Sequence, residues 1–209
     1  MVVQNDWGDG VSVPERTRAR LGLLLALGSV VVAAVVAGAL WWRTSSDHPA
    51  VIGESPTVFP DIDRSALDPA QARLVEVLEH EFANPGGGPK YAEGLVEPWC
   101  ADFVSWTMRE AGRPLSNPNS GSWRIPGVYT LQEYYEGSDR FAPAGSGYRP
   151  RTGDVLLYGP ESPFTQHTNI VLTAADGEVT TIGGNEFGEV RIHRFRVADA
   201  EDVVGYGRF

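Results

Sequence analysis

Disulfide bonding within this chain is excluded at once, because its 209 residues include a single cysteine, Cys100. Lysine is nearly missing as well: of 17 basic residues only Lys90 is one. Acidic residues number 27, and the formal charge of −10 leaves no basic face for a nucleic acid. No cluster of His, Cys, Asp and Glu has metal-ligand spacing, so neither a metal nor another cofactor is expected. The acids of "DIDRSALD" lack the glycine and terminal glutamate of a calcium loop. No segment repeats at a fixed period, which excludes a solenoid.

What is present begins with residues 21–42, "LGLLLALGSVVVAAVVAGALWW", which carry no charge over 22 positions. As a helix this run spans roughly 33 Å, enough for a hydrocarbon layer of about 30 Å. Arg16, Arg18 and Arg20 precede it and Arg43 follows. The positive-inside bias therefore predicts a cytoplasmic tail over 1–20 and an exported remainder. A cleavable signal peptide is the rival, since Ala37-Gly38-Ala39 resembles a cleavage site. The length of the apolar run favours an uncleaved, single-pass anchor in the cell membrane. Residues 43–67 are polar and proline-bearing, and read as an extracytoplasmic linker. From Thr44 onward 24 acids face 13 bases, which argues against docking on anionic headgroups.

Residues 68–209 read as the exported domain. Asp68, Pro69 and Gln71 form a helix-start signature, and Leu74, Val75, Leu78 and Phe82 recur at helical spacing until "NPGGGP". A second helix is predicted from about Pro98 to a C-cap at Gly112, and "VYTLQEYY" is a candidate third. Five β-prone runs follow: "DVLLY", "TNIVLT", "EVTTIG", "VRIHRF" and "VVGYGRF". Helices first and neighbouring strands afterwards predict an α+β domain with an antiparallel sheet of about five strands.

A start near Pro98 puts Cys100 in the first turn of its helix, where unpaired N–H groups and the helix dipole favour a thiolate. Position alone does not separate a nucleophile from a buried packing residue. An exported thiol with no partner for a disulfide is a liability unless it reacts, which favours the nucleophile. Such a nucleophile needs a base. Among four histidines His48 lies in the linker, His80 falls off the apolar face of its helix, and His193 alternates out of phase with Val190 and Ile192. His167, opening a strand after a proline-containing loop, is the candidate that elimination leaves. Asn185, in the glycine-rich turn of "TTIGGNEFG", is equally readable as turn chemistry or as a partner of the imidazole. Trp99, Trp106, Trp123, Tyr129, Tyr134 and Tyr135 are readable as core packing or as a stacking groove for glycan.

In order along the chain, "WCADFVSW", "RTGDVLLYG", "HTNIVLT", "TIGGN" and "VVGYGRF" resemble the CHAP family of cysteine-dependent amidases and peptidases. The resemblance covers roughly residues 68–209. It implies a papain-like domain, N-terminal helices packed on the sheet, that cleaves amide bonds of bacterial peptidoglycan. It also implies Cys100 as nucleophile, His167 as general base and Asn185 as the polar partner of His167. One departure stands out: many members of the family have a glutamate two residues before that asparagine, where this chain has Gly183. Glu186 is expected to point away from Asn185 on a regular strand, and so to be a poor substitute. The expected whole is a membrane-anchored peptidoglycan amidase or endopeptidase with no metal or nucleic-acid partner. The alternative is a catalytically silent wall-binding or scaffold module.

Overall fold

A computed structural model describes residues 52–209. The expected tail (1–20), apolar run (21–42) and first part of the linker lie outside the described residues. Among the described residues no helix is long and apolar enough to cross a membrane.

Four helices precede the six strands of one sheet in the described residues. Helix α1 (Pro69–Ala83) starts with the capping box its sequence announces. Asp68 Oδ1 accepts from the N–H groups of Ala70 and Gln71 at 2.8 and 2.9 Å, and Gln71 Oε1 accepts from Asp68 N–H at 3.1 Å. Its Leu74, Val75 and Leu78 are buried. The glycines that end it also begin a single turn, α2 (Gly88–Tyr91), entered through Gly87 at φ 72°. The segment "NPGGGP" thus stops one helix and starts another. Helix α3 (Cys100–Glu110) begins at the cysteine itself, two residues later than the sequence predicts. Helix α4 (Val128–Gly137) is the aromatic segment, with Leu131 and Tyr135 inside.

The strands are β1 (Phe141–Pro143), β2 (Val155–Tyr158), β3 (His167–Ala175), β4 (Glu178–Glu186), β5 (Glu189–Arg196) and β6 (Val203–Gly207). They pair antiparallel in the order β1-β6-β2-β3-β4-β5. The expected α+β class is borne out, with six strands rather than five. The short edge strand β1 carries too little alternation to be legible beforehand.

One face of the sheet presents Val155, Leu157, Ile170, Leu172, Ile182 and Ile192 to the helices. The other carries Leu156, Tyr158, Val179, Phe195 and Tyr206 under loop side chains such as Tyr148 and Phe164. Residues 52–67, expected as linker, instead lie along the domain. Glu54 bridges Arg194 with two backbone hydrogen bonds of 2.9 Å, and Ser55 Oγ donates to the Ile192 carbonyl at 3.2 Å. Ile52 packs on the second face, while Phe59 and Ile62 join the helix-side core.

Candidate active site

The position of Cys100 follows from the residue before it. Trp99 caps α3 and stacks on Tyr91 with ring centroids 5.0 Å apart and planes 22° from parallel. A Cβ on Gly88 would come within 2.7 Å of the indole, and one on Gly184 within 2.5 Å of its far edge. The ring therefore fits only because two glycines flank it. Tyr91 is fixed in turn by its hydroxyl, which donates to buried Glu81 at 2.7 Å, while Lys90 Nζ donates to both Glu81 oxygens at 2.6 Å. Burial pushes the Glu81 carboxyl up, but hydrogen bonds from Lys90, Tyr91 and His80 outweigh it and hold it below the usual range. On the other flank Arg124 ties down the loop before Cys100. Its Nε donates to buried Asp102 at 2.7 Å, and its Nη2 pairs with Glu97. The result is a helix N-terminus held from two sides, with its first N–H groups free of intrahelical partners.

His167 is the first residue of β3 and lies opposite Tyr158. Phe164 stacks on its ring at 5.0 Å and 19°. His167 Nε2 meets Glu186 Oε1 at 3.3 Å, and Cys100 lies near enough to the ring to raise its basicity. Burial alone would lower the basicity of His167. The interactions with Cys100 and Glu186 override it and raise the imidazole to about 9. The imidazolium is therefore the prevailing form at neutral pH. Burial likewise pushes Glu186 up, and its hydrogen bonds with His167 and His193 bring it below the usual carboxylate range.

Two expectations need correction. Glu186, expected to face away, faces His167, whereas the Asn185 side chain makes no hydrogen bond to His167. The cause is a β-bulge. The pairing of β4 with β5 shifts between Gly183 and Glu186, and Asn185 adopts a left-handed φ of 64°. One extra residue inverts the alternation, so Glu186 takes the side of the sheet that Gly183 occupies. His193, expected on an exposed face, is wholly buried and pairs through Nε2 with the other Glu186 oxygen. At the middle of β5 both faces are covered, Ile192 being buried on one and His193 on the other, so alternation there does not mark a solvent side. His80 matches its expectation, with its side chain 67% exposed. Of the aromatics, Trp99 and Tyr135 are buried in the core. Trp106 lies against Lys90 at 4.7 Å and Trp123 against Arg109 at 4.0 Å.

Residues 91–185 match the family model of the CHAP domain. The resemblance read from the sequence is borne out. The match covers somewhat under half of the chain; it includes Cys100, His167 and Asn185 and stops one residue before Glu186. Among curated proteins nothing matches. In this chain a side chain on residue 183 would enter occupied space. Its Cβ would collide with Asn169 Oδ1 and lie 2.5 Å from Glu186 Oε1. Gly183 and the inward Glu186 are thus two halves of one arrangement.

A cleft of about 430 Å³ lined by Pro85, Gly87, Trp99, Gly188, Glu189 and Val190 adjoins Trp99. A larger one of about 540 Å³, between Tyr148, Asp176 and Tyr206, touches none of these residues. No group of metal-ligating side chains occurs among the described residues.

Proposed function

We propose that the chain is a membrane-anchored peptidoglycan amidase or endopeptidase working outside the cytoplasmic membrane through a cysteine nucleophile. The observation that carries this reading is the row Cys100–His167–Glu186 at the start of α3. There a buried carboxylate keeps an imidazolium beside the only thiol. The Cys100 sulfur attacks the peptide carbonyl carbon, and the oxyanion draws on the free N–H groups of the helix N-terminus. His167 passes its proton to the departing amine as the C–N bond breaks. A water then enters, gives its proton to His167 and attacks the thioester carbonyl, releasing the acid product and restoring the pair. Glu186 orients the ring and balances its charge, the part the resemblance gives to Asn185. The arginine asymmetry about residues 21–42 supports the anchor and the extracytoplasmic location.

The test is digestion of purified peptidoglycan by the full-length protein, with Cys100→Ala beside it and the products identified by mass spectrometry. New amino termini absent from the Cys100→Ala reaction are expected, and their identity names the bond. Equal behaviour of the two proteins on every wall preparation replaces this reading with that of a silent wall-binding module.

A further inference from the structure

We propose that His193 is a positioning residue for this site: from β5, through its hydrogen bond to Glu186, it holds the carboxylate against His167. The inference rests on the cysteine-hydrolase reading above and extends it from three residues to four.

A carboxylate has two oxygens, and Glu186 is only 3% exposed. One oxygen meets His167 Nε2 at 3.3 Å. Left alone, the other would be a buried acceptor without a donor, which buried polar groups in folded proteins rarely are. His193 Nε2 fills that place. The donor is itself immobile. His193 is wholly buried, pairs with Thr181 across β4, and meets Phe164 edge-on at 5.2 Å and 77°. Because Phe164 also stacks on His167, one ring packs both imidazoles around the same carboxylate. His193 Nδ1 has no hydrogen-bond partner among the described residues. The tautomer with its proton on Nε2 is therefore the one that leaves no buried N–H unpaired. In that form His193 donates to Glu186 through Nε2.

The titratable groups facing His167 are Cys100 from α3, Tyr158 from β2 and Glu186 from β4. His193 stands behind Glu186. Arg191, next on that face of β5, is engaged with Glu189 at 3.1 Å and lies over the Phe187 ring at 5.3 Å. Removing the His193 donor leaves the burial of Glu186 less opposed, so the carboxylate holds its charge less firmly. The imidazolium beside Cys100 then loses part of its counter-charge and releases its proton at lower pH.

The experiment measures alkylation of Cys100 in the full-length protein by iodoacetate across pH. This reagent is anionic, so its attack is helped by the imidazolium and slows as His167 deprotonates. In His193→Phe, which keeps an apolar ring but has no donor, the alkaline fall should move toward neutral pH by about one unit. In His193→Gln, whose amide can donate from a similar place, it should return most of the way to the parent. An unmoved alkaline fall in both variants, with both folded by thermal melting, overturns the proposal. So does an equal displacement in both. If His193→Phe does not fold, His193→Leu takes its place as the donor-free variant: an alkaline fall displaced toward neutral pH relative to His193→Gln supports the proposal, and equal profiles overturn it. A parent that alkylates with this profile yet releases nothing from peptidoglycan overturns the hydrolase reading, while the comparison of profiles still judges His193.

Discussion

At the scale of single residues the governing quantity is the charge on His167. Its basicity is raised from the ordinary 6.5 to about 9, so the folded state binds this proton more tightly than the unfolded chain does. The resulting stabilisation is fully present below pH 6.5 and is lost as pH rises through about 9. Thermal melts of the wild type should therefore fall across that window, and His167→Gln should flatten the slope. Glu186 has the opposite sign: its contribution is present above the usual carboxylate range and lost as acid protonates it. Its role can be separated from that of Asn185. Glu186→Gln should reduce kcat/KM on peptidoglycan by on the order of 10²–10⁴-fold, because it removes the charge that keeps the imidazolium. Asn185→Gly tolerates the left-handed φ of 64° and so keeps the bulge; it should retain most of the turnover. If instead it matches Glu186→Gln in damage, the Asn185 side chain belongs to the working set. Cys100 and His167, which the fold brings near one another, were singled out in the sequence by scarcity and elimination, although the elimination set His193 aside as exposed when it is buried. Glu186 was not, since counting alternate positions presumes an unbroken ladder. A single bulge residue reverses the outcome, and its signal is the run of glycines ending in Asn185.

Among the elements, the start of α3 depends on a short chain of contacts rather than on its own propensity. Its N-cap is Trp99, which makes no side-chain capping bond. The tryptophan is held by Tyr91, and Tyr91 by Glu81, a carboxylate from α1. Tyr91→Phe keeps the stack on Trp99 but removes the hydroxyl from a buried partner. A loss of about 1–2 kcal/mol in urea unfolding is expected, with activity nearly intact at moderate temperature. Gly184→Ala acts at the other side of the same indole. Its Cβ would fall 2.5 Å from the ring and 2.6 Å from Phe103 Cβ, so either α3 or β4 must yield. It should lower kcat/KM more than Tyr91→Phe does, since it displaces the cap of the helix that begins at Cys100. Equal turnover in wild type and Gly184→Ala would mean that the Cys100 position tolerates movement of Trp99. In the sequence the helix and the glycines were visible. The tyrosine–tryptophan stack was not, because α2 hides in what reads as a helix terminator and only tertiary packing shows why its glycines are needed.

For the domain as a whole, the decisive feature is where it begins. The sequence suggests residue 68, since Asp68 is an unmistakable cap and the stretch before it is polar and proline-bearing. Composition hides the role of residues 52–67, because their apolar side chains are few and irregularly spaced. Yet Ile52, Phe59 and Ile62 pack on the core, Phe59 meets Phe82 at 6.1 Å, and Glu54 occupies the backbone edge of β5 at Arg194. That edge matters, because β5 is the last strand of the sheet and carries His193. Without the strap its unpaired N–H and C=O groups offer a template for another chain. Protein spanning 68–209 should therefore be less stable than 52–209 by roughly 2–4 kcal/mol, from the three part-buried apolar side chains. It should also scatter more light on warming. Glu54→Ala in the longer protein should cost under about 1 kcal/mol, because its ion pair with Arg194 is exposed and its backbone bridge survives the substitution. Matching melting temperatures for 52–209 and 68–209 would make the strap a passive covering. A difference that Glu54→Ala reproduces alone would transfer its effect from apolar burial to the ion pair.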